Sequence, residues 1–433
     1  MKDIGCIAHA YVDAISGDLG ASVQCMFTES ETHEMVVGPI GISSLRTTRA
    51  CRGSIVAVRD AKRGTLSVSS LYNCAPDPML LRKLDDALGA SSVDEAYDVA
   101  PYQVSNSLGS GPSSPDMTGM FDRLKELDSS IRQLYPAIAI LEASIKFVRE
   151  ATSLVNSNAV DLLSVTGKYE INLAVIAQCE GRISTPFDSH VILRDLSLPL
   201  LECGSLRQIC ERAVHHLDAR RIKGSFTGDV IFSPDVLGAF MKYFPVCALG
   251  DRMLLAGTSV YKGKLDSRIA VEHFSLSSIP LSPSISGGYF LTNDGFIAEN
   301  STLIENGFLR NYSLSQYGAR KTGLRHVRNN GGCLCVSPGN VPSSQLIESI
   351  DRGLLVNGFA GGYPSDSGDF SGTVPDALYI EKGVVRFPVK ETMITGNIPK
   401  MVMAISGISR EYVNFGNAVY PWMAVKDIFV SSK

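Results

Sequence analysis

Apolar and polar positions change period several times along the chain. In residues 53–72 they alternate, with Ile55 and Ala57 against Val56 and Val58, then Leu66, Val68 and Ser70. A period of two predicts a β-hairpin, with Lys62-Arg63-Gly64 as its turn. Asp77-Pro78 then supplies a helix cap and a first-turn proline for a helix to about Leu88. Residues 104–118 are rich in Ser, Gly and Pro and predict a flexible linker or loop. In residues 119–156 Phe121, Leu124, Leu127, Ile131 and Leu134 fit a helical period, as do Ile138, Leu141, Ile145 and Val148. The reading is one long helix, kinked or divided at Pro136.

Alternation returns over 159–178 and continues over 182–196. An amphipathic helix follows at 205–222, and then a short apolar strand, Asp229–Phe232. Beyond Leu254 the chain reads as short strands between Gly- and Pro-marked turns. The expected class is α+β: an N-terminal α/β domain over 1–222, then a β-rich antiparallel C-terminal domain over 223–433.

Composition narrows the function. The chain has 433 residues, 45% hydrophobic and 19% charged, enough for a large core. Its 40 basic and 44 acidic residues give a net charge of −4, which favours neither nucleic acid nor an anionic membrane. Asp3 and Asp13 break the N-terminal apolar run, so no signal peptide is expected. No apolar stretch approaches the ~20 residues that span a bilayer. A cytoplasmic location is the expectation.

Candidate chemistry is sparse. The ten cysteines form no C-x-x-C, and only Cys333 and Cys335 lie close together. Adjacent His215 and His216 would point about 100° apart on a helix and share one metal poorly. His33-Glu34 opens like a zincin motif but lacks the following His. There is no G-x-S-x-G, Walker A loop or G-x-G-x-x-G. Arg320-Lys321 and Arg325-His326-x-Arg328 make a small basic run, read as a solvated face or as a site for a carboxylate or acidic partner.

Several short segments, in order, resemble the TldD/PmbA family. They are Ser367-Gly-Asp-Phe-Ser371, Ala377-Leu-Tyr-Ile-Glu381-Lys-Gly383, Phe387-Pro-Val389-Lys-Glu391 and Thr395-Gly-Asn397. Upstream, Asn293-Asp-Gly295-Phe, Leu303 to Gly307, Tyr317-Gly-Ala319-Arg320-Lys321 and Val230 to Pro234 are similar as well. In the TldD branch, the helix after the strand matching Val230–Phe232 carries H-E-x-x-x-H. Its histidines and a C-terminal cysteine hold zinc, and its Glu serves as base. Here Ser233 to Cys247 contains neither His nor Glu, and Lys242 and Tyr243 stand about where the His-Glu pair would be. Residues 413–433 contain no cysteine.

The resemblance therefore implies the TldE/PmbA side: a subunit without a catalytic residue or metal of its own. It would pair as a heterodimer with a TldD-like zinc-binding subunit and process unfolded or ribosomally made precursor peptides. Asn293, Gly295, Gly361, Gly362, Asp369, Phe370 and Ser371 become candidates for peptide binding by strand addition. Lys242, Tyr243 and Cys247 mark the degenerate zinc region. Two other readings stand beside this one. One is a stand-alone homodimeric peptidase using Tyr243, Lys242 and Cys247, for which no base is evident. The other is a peptide-binding scaffold without catalysis.

Overall fold

The computed structural model describes residues 4–38, 41–69 and 75–432. Four long strands, Ser22–Gly38, Gly41–Arg59, Ile138–Asn156 and Asp161–Cys179, dominate the N-terminal half. With Lys62–Ser69, Asn106–Ser110 and Phe187–Leu193 they form one twisted sheet. Alternation decides what covers it. Val23, Cys25 and Phe27 share a face of the first strand with Met35 and Val37. The helices Ile4–Leu19 and Pro78–Ala90 pack on the first three. The helices Met117–Leu134 and Leu206–His215 pack around the last two.

Three elements differ from the sequence reading. The hairpin turn lies at Asp60-Ala61, both left-handed, with φ of 52° and 56°. Lys62 pairs with Arg59, and Gly64 is a strand residue whose Cβ would come 3.0 Å from the Leu84 carbonyl oxygen. Residues 70–72 of the expected hairpin lie outside the described residues. The linker at 104–118 contains a strand: Asn106–Ser110 pairs in parallel with residues 162–166. Its glycines serve close approach, since a Cβ on Gly111 would sit 1.8 Å from the Gly167 carbonyl oxygen. The expected long helix over 119–156 is a helix to Leu134 and then a strand from Ile138. A bulge between Ile140 and Glu142 shifts the parity. The apparent helical period at 138, 141, 145 and 148 comes from Leu141, which is exposed, and Val148, which is half-buried, and neither belongs to the core set Ile138, Ile140, Ala143, Ile145 and Phe147.

The second half is built on a closed ring of strands. Phe226–Phe232 pairs in parallel with Arg352–Gly361 and antiparallel with Val419–Ser432. Asp369–Glu381 and Thr392–Asn397 complete the circuit. One face of the ring packs on Pro234–Met241, where Phe240 lies 4.8–5.1 Å, centroid to centroid, from Phe232, Phe359 and Phe370. The other face, with Ile231, Ile380 and Ala424, takes Leu346 from the short helix Ser343–Glu348. The main core of the ring starts at Ile222 and the largest core beneath the first sheet ends at Ala213, while a small cluster of Leu154, Val160 and Leu162 with Leu291 bridges the two halves.

A strap joins the halves. Gln103 donates to the Gly295 carbonyl and accepts from the Ile297 amide. Tyr97 stacks on Tyr317, and the Tyr317 hydroxyl donates to Asp94. The basic run is consumed at and near this joint: Arg320 pairs with Asp98, Lys321 with Asp94, Arg325 and Arg328 with Glu299, and His326 with Asp294. The four Arg and Lys side chains remain 41–67% exposed, so the run is a solvated face whose charges are paired within the chain. Among the described residues no helix is long and apolar enough to cross a membrane.

Candidate functional site

A cleft of about 730 Å³ opens between the first sheet and the strand ring. Its walls come from Phe187–Leu193, from Pro234–Met241 with the turn after it, and from the loops around Gly287, Gly332 and Asn417. Ser233-Pro-Asp starts the helix because proline fits its first turn and Asp235 suits its positive end. Asp235 then faces Arg212, which arrives on Leu206–His215. Arg212 Nη1 lies 3.1 Å from Asp235 Oδ2, and Nε lies 2.7 Å from Asp376 Oδ2. Asn357 donates to the other Asp376 oxygen, and Ser205 donates to Asp235. One cation thus holds two carboxylates. Burial pushes the Asp376 carboxyl up, and Arg212 and Asn357 oppose that.

The sequence reading passed over this trio. One signal for it exists: Asp376 occupies an inward position after Phe370, Gly372 and Val374, all of alternating parity. A charge at such a position requires a partner.

The helix at the cleft divides Lys242 from Tyr243. Lys242 is exposed and lines the cleft. Tyr243 is 2% exposed and turns into the core, where its hydroxyl donates to the Asp366 carbonyl. Burial pushes its phenol up to about 12. The α-helix ends at Met241, and Pro245 sits in a single π-helical turn, Phe244–Ala248. A residue without an N–H fits this winding, in which Leu249 N bonds to the Phe244 carbonyl. Cys247 lies in that turn, half-buried, and burial pushes its thiol up. A raised thiol is a poor nucleophile at neutral pH.

The peptide-binding candidates fall into two places. Gly361 and Gly362 end one arm of a hairpin whose other arm begins at Asp369. Asp369 accepts from Ser367 and Asn397, which hold its carboxyl below the usual range. The Phe370 ring is buried in the core, and Ser371 bonds Thr395. The hairpin seats on Tyr243, because a Cβ on Gly368 would lie 3.1 Å from that ring. Asn293 and Gly295 lie apart from it, at the joint. The Asn293 amide donates to Asn330, and Gly295 (φ +96°) lies against the Gln24 side chain. The structure therefore gathers 361–371 with Tyr243 and separates both from the 293–295 turn.

The donors around the cleft do not fit a zinc ion. Lys242 offers a cation, the Tyr243 hydroxyl is committed to a carbonyl, and Asp235 and Asp376 are held by Arg212. Among the described residues no three His, Cys, Asp or Glu side chains converge as a ligand set. His216 is buried against the Val389 carbonyl oxygen, while His215 is exposed.

Comparison with known proteins places this geometry. Residues 225–432 match the PmbA/TldA metallopeptidase C-terminal domain. A metalloprotease PmbA homologue from Buchnera aphidicola is 27% identical over 61% of this chain and 59% of its own length. A metalloprotease from Methanothermobacter thermautotrophicus is 26% identical over 48% of each chain. These alignments span about half to three-fifths of the relatives' length. A zinc metalloprotease TldD homologue from Saccharolobus solfataricus is 23% identical over 67% of this chain and 68% of its own. Two solved structures share the fold. TldE from Thermococcus kodakarensis has a TM-score of 0.76 at 20% identity, covering 95% of this chain and 97% of its own. A protein from Bacteroides thetaiotaomicron, described as a candidate modulator of DNA gyrase, has 0.81 at 17%, covering all of both chains. Residues 225–432 of the chain thus form a domain of the PmbA/TldA metallopeptidase C-terminal type, and the whole chain shares the fold of TldE.

Proposed function

We propose that this chain is the TldE-like, non-catalytic subunit of a two-chain zinc metalloprotease acting on unfolded or ribosomally made peptides. One observation carries the reading. Where the zinc-bearing branch would place a His-Glu pair, this chain sends Lys242 into the cleft and Tyr243 into the core. An ammonium beside a prospective ligand set repels a dication, and a buried phenol pushed up to about 12 cannot act as base at neutral pH. The raised Cys247 thiol weighs against a stand-alone cysteine peptidase. Zinc, and the water it activates, would belong to a TldD-like partner. This chain would complete the chamber and hold peptide. Metal analysis tests the reading: the chain alone should hold no stoichiometric zinc, and its complex with an H-E-x-x-x-H chain about one zinc per pair. Stoichiometric zinc in the chain alone would overturn it.

A further inference from the structure

Resting on that reading, we propose that the cleft binds an extended peptide by a carboxylate held on Lys242. The charges of the cleft single out this lysine. Arg212 is already paired with Asp235 and Asp376, at 3.1 and 2.7 Å. Lys242 forms no ion pair among the described residues, although Asp188 also lines the cleft. An exposed ammonium at a concave wall attracts a carboxylate entering the cleft, because the low-dielectric walls focus its field into the opening.

The rest of the wall suits an extended chain. Gly332 and Gly358 present backbone without side chains, so a peptide main chain can come close. Phe359 and Phe415 give apolar surface between polar backbone groups. At about 730 Å³ the cleft has room for a few residues rather than a folded domain. The carboxylate can come from an acidic side chain or from a peptide C-terminus. Both offer Lys242 the same charge-assisted hydrogen bond.

The test is fluorescence anisotropy with the full-length chain and four labelled octapeptides: one internal Glu or Gln, each as free acid or C-terminal amide. At least one carboxylate-bearing peptide should bind about tenfold tighter than the neutral Gln amide, the size of one charge-assisted hydrogen bond. That preference should vanish in Lys242→Met and persist in Lys242→Arg and Asp188→Asn. If Glu carries the preference, the source is an acidic side chain; if the free acid carries it, the source is the C-terminus. Equal affinities, no binding, or a preference that survives Lys242→Met would overturn the inference. Zinc content and pairing with the partner are measured separately, so the subunit reading can stand if this inference falls.

Discussion

Arg212 Nε lies 2.7 Å from Asp376 Oδ2, joining a helix of the N-terminal core to a strand of the closed ring. The side chains are 15% and 10% exposed, so water screens the pair little. Replacing Arg212 by Met would strand both Asp376 and Asp235. The loss should be about 3–5 kcal/mol, because an uncompensated buried charge costs more than the pair contributes. Urea unfolding should show a lower midpoint, partly restored when Asp235→Asn and Asp376→Asn are added. An unchanged midpoint for Arg212→Met alone would refute the bridge.

Asp294 supplies a pH test at the joint. Burial pushes its carboxyl up, but donors from His326, Thr292 and the Gln316 amide together outweigh burial and hold it below the usual range. A carboxyl depressed in the folded state stabilises above its unfolded value, about 3.9, and that contribution is lost as pH falls through the folded value. Asp294→Asn should therefore lower stability at pH 6 and flatten the stability curve below about pH 4. The check is the urea midpoint measured from pH 2 to 6. Parallel curves for both proteins would contradict the assignment.

Tyr97 and Tyr317 stack with centroids 5.1 Å apart across the same joint. A double-mutant cycle to Ala should give a coupling of about 0.5–1.5 kcal/mol. A coupling near zero would mean that the strap contributes only burial.

Gly368 has φ +89°, and a Cβ there would lie 2.5 Å from Pro399 Cδ. Gly368→Ala should cost about 2–3 kcal/mol through backbone strain and displacement of the hairpin from Tyr243. Thermal unfolding measures it, with Gly362→Ala as the control, since a Cβ at Gly362 meets nothing within 4 Å.

Much of the fold was legible in alternation and capping. Asp77 caps its helix as its place before Pro78 implies, accepting from the Met79 amide. The strand after residue 136 was hidden because exposed Leu141 and half-buried Val148 fall at helical spacing from Ile138 and Ile145, while a bulge breaks the strict alternation of the true core set. The strand at Asn106–Ser110 was hidden because Gly109 and the following Gly111 serve close backbone contact, and composition alone reads them as loop. At the site, Lys242 and Tyr243 were visible as departures from a motif, but not their opposite directions. Both keep helical backbone angles, and the ~100° step between helical neighbours sends one to the cleft and the other to the core only once the helix is placed against the ring. Arg212, Asp235 and Asp376 are far apart in sequence and meet only because the ring closes against the first sheet. Alternation marks Asp376 as an inward charge in need of a partner, but local pattern does not say which residue supplies it.

The most direct test of the subunit assignment is cleavage of an unfolded polypeptide by this chain alone, by an H-E-x-x-x-H partner alone, and by the mixture. The account predicts no cleavage by this chain, chelator-sensitive cleavage in the mixture, and no dependence on Cys247, so that Cys247→Ala is silent. Cleavage by this chain alone, abolished by Cys247→Ala or by a chelator, would contradict it.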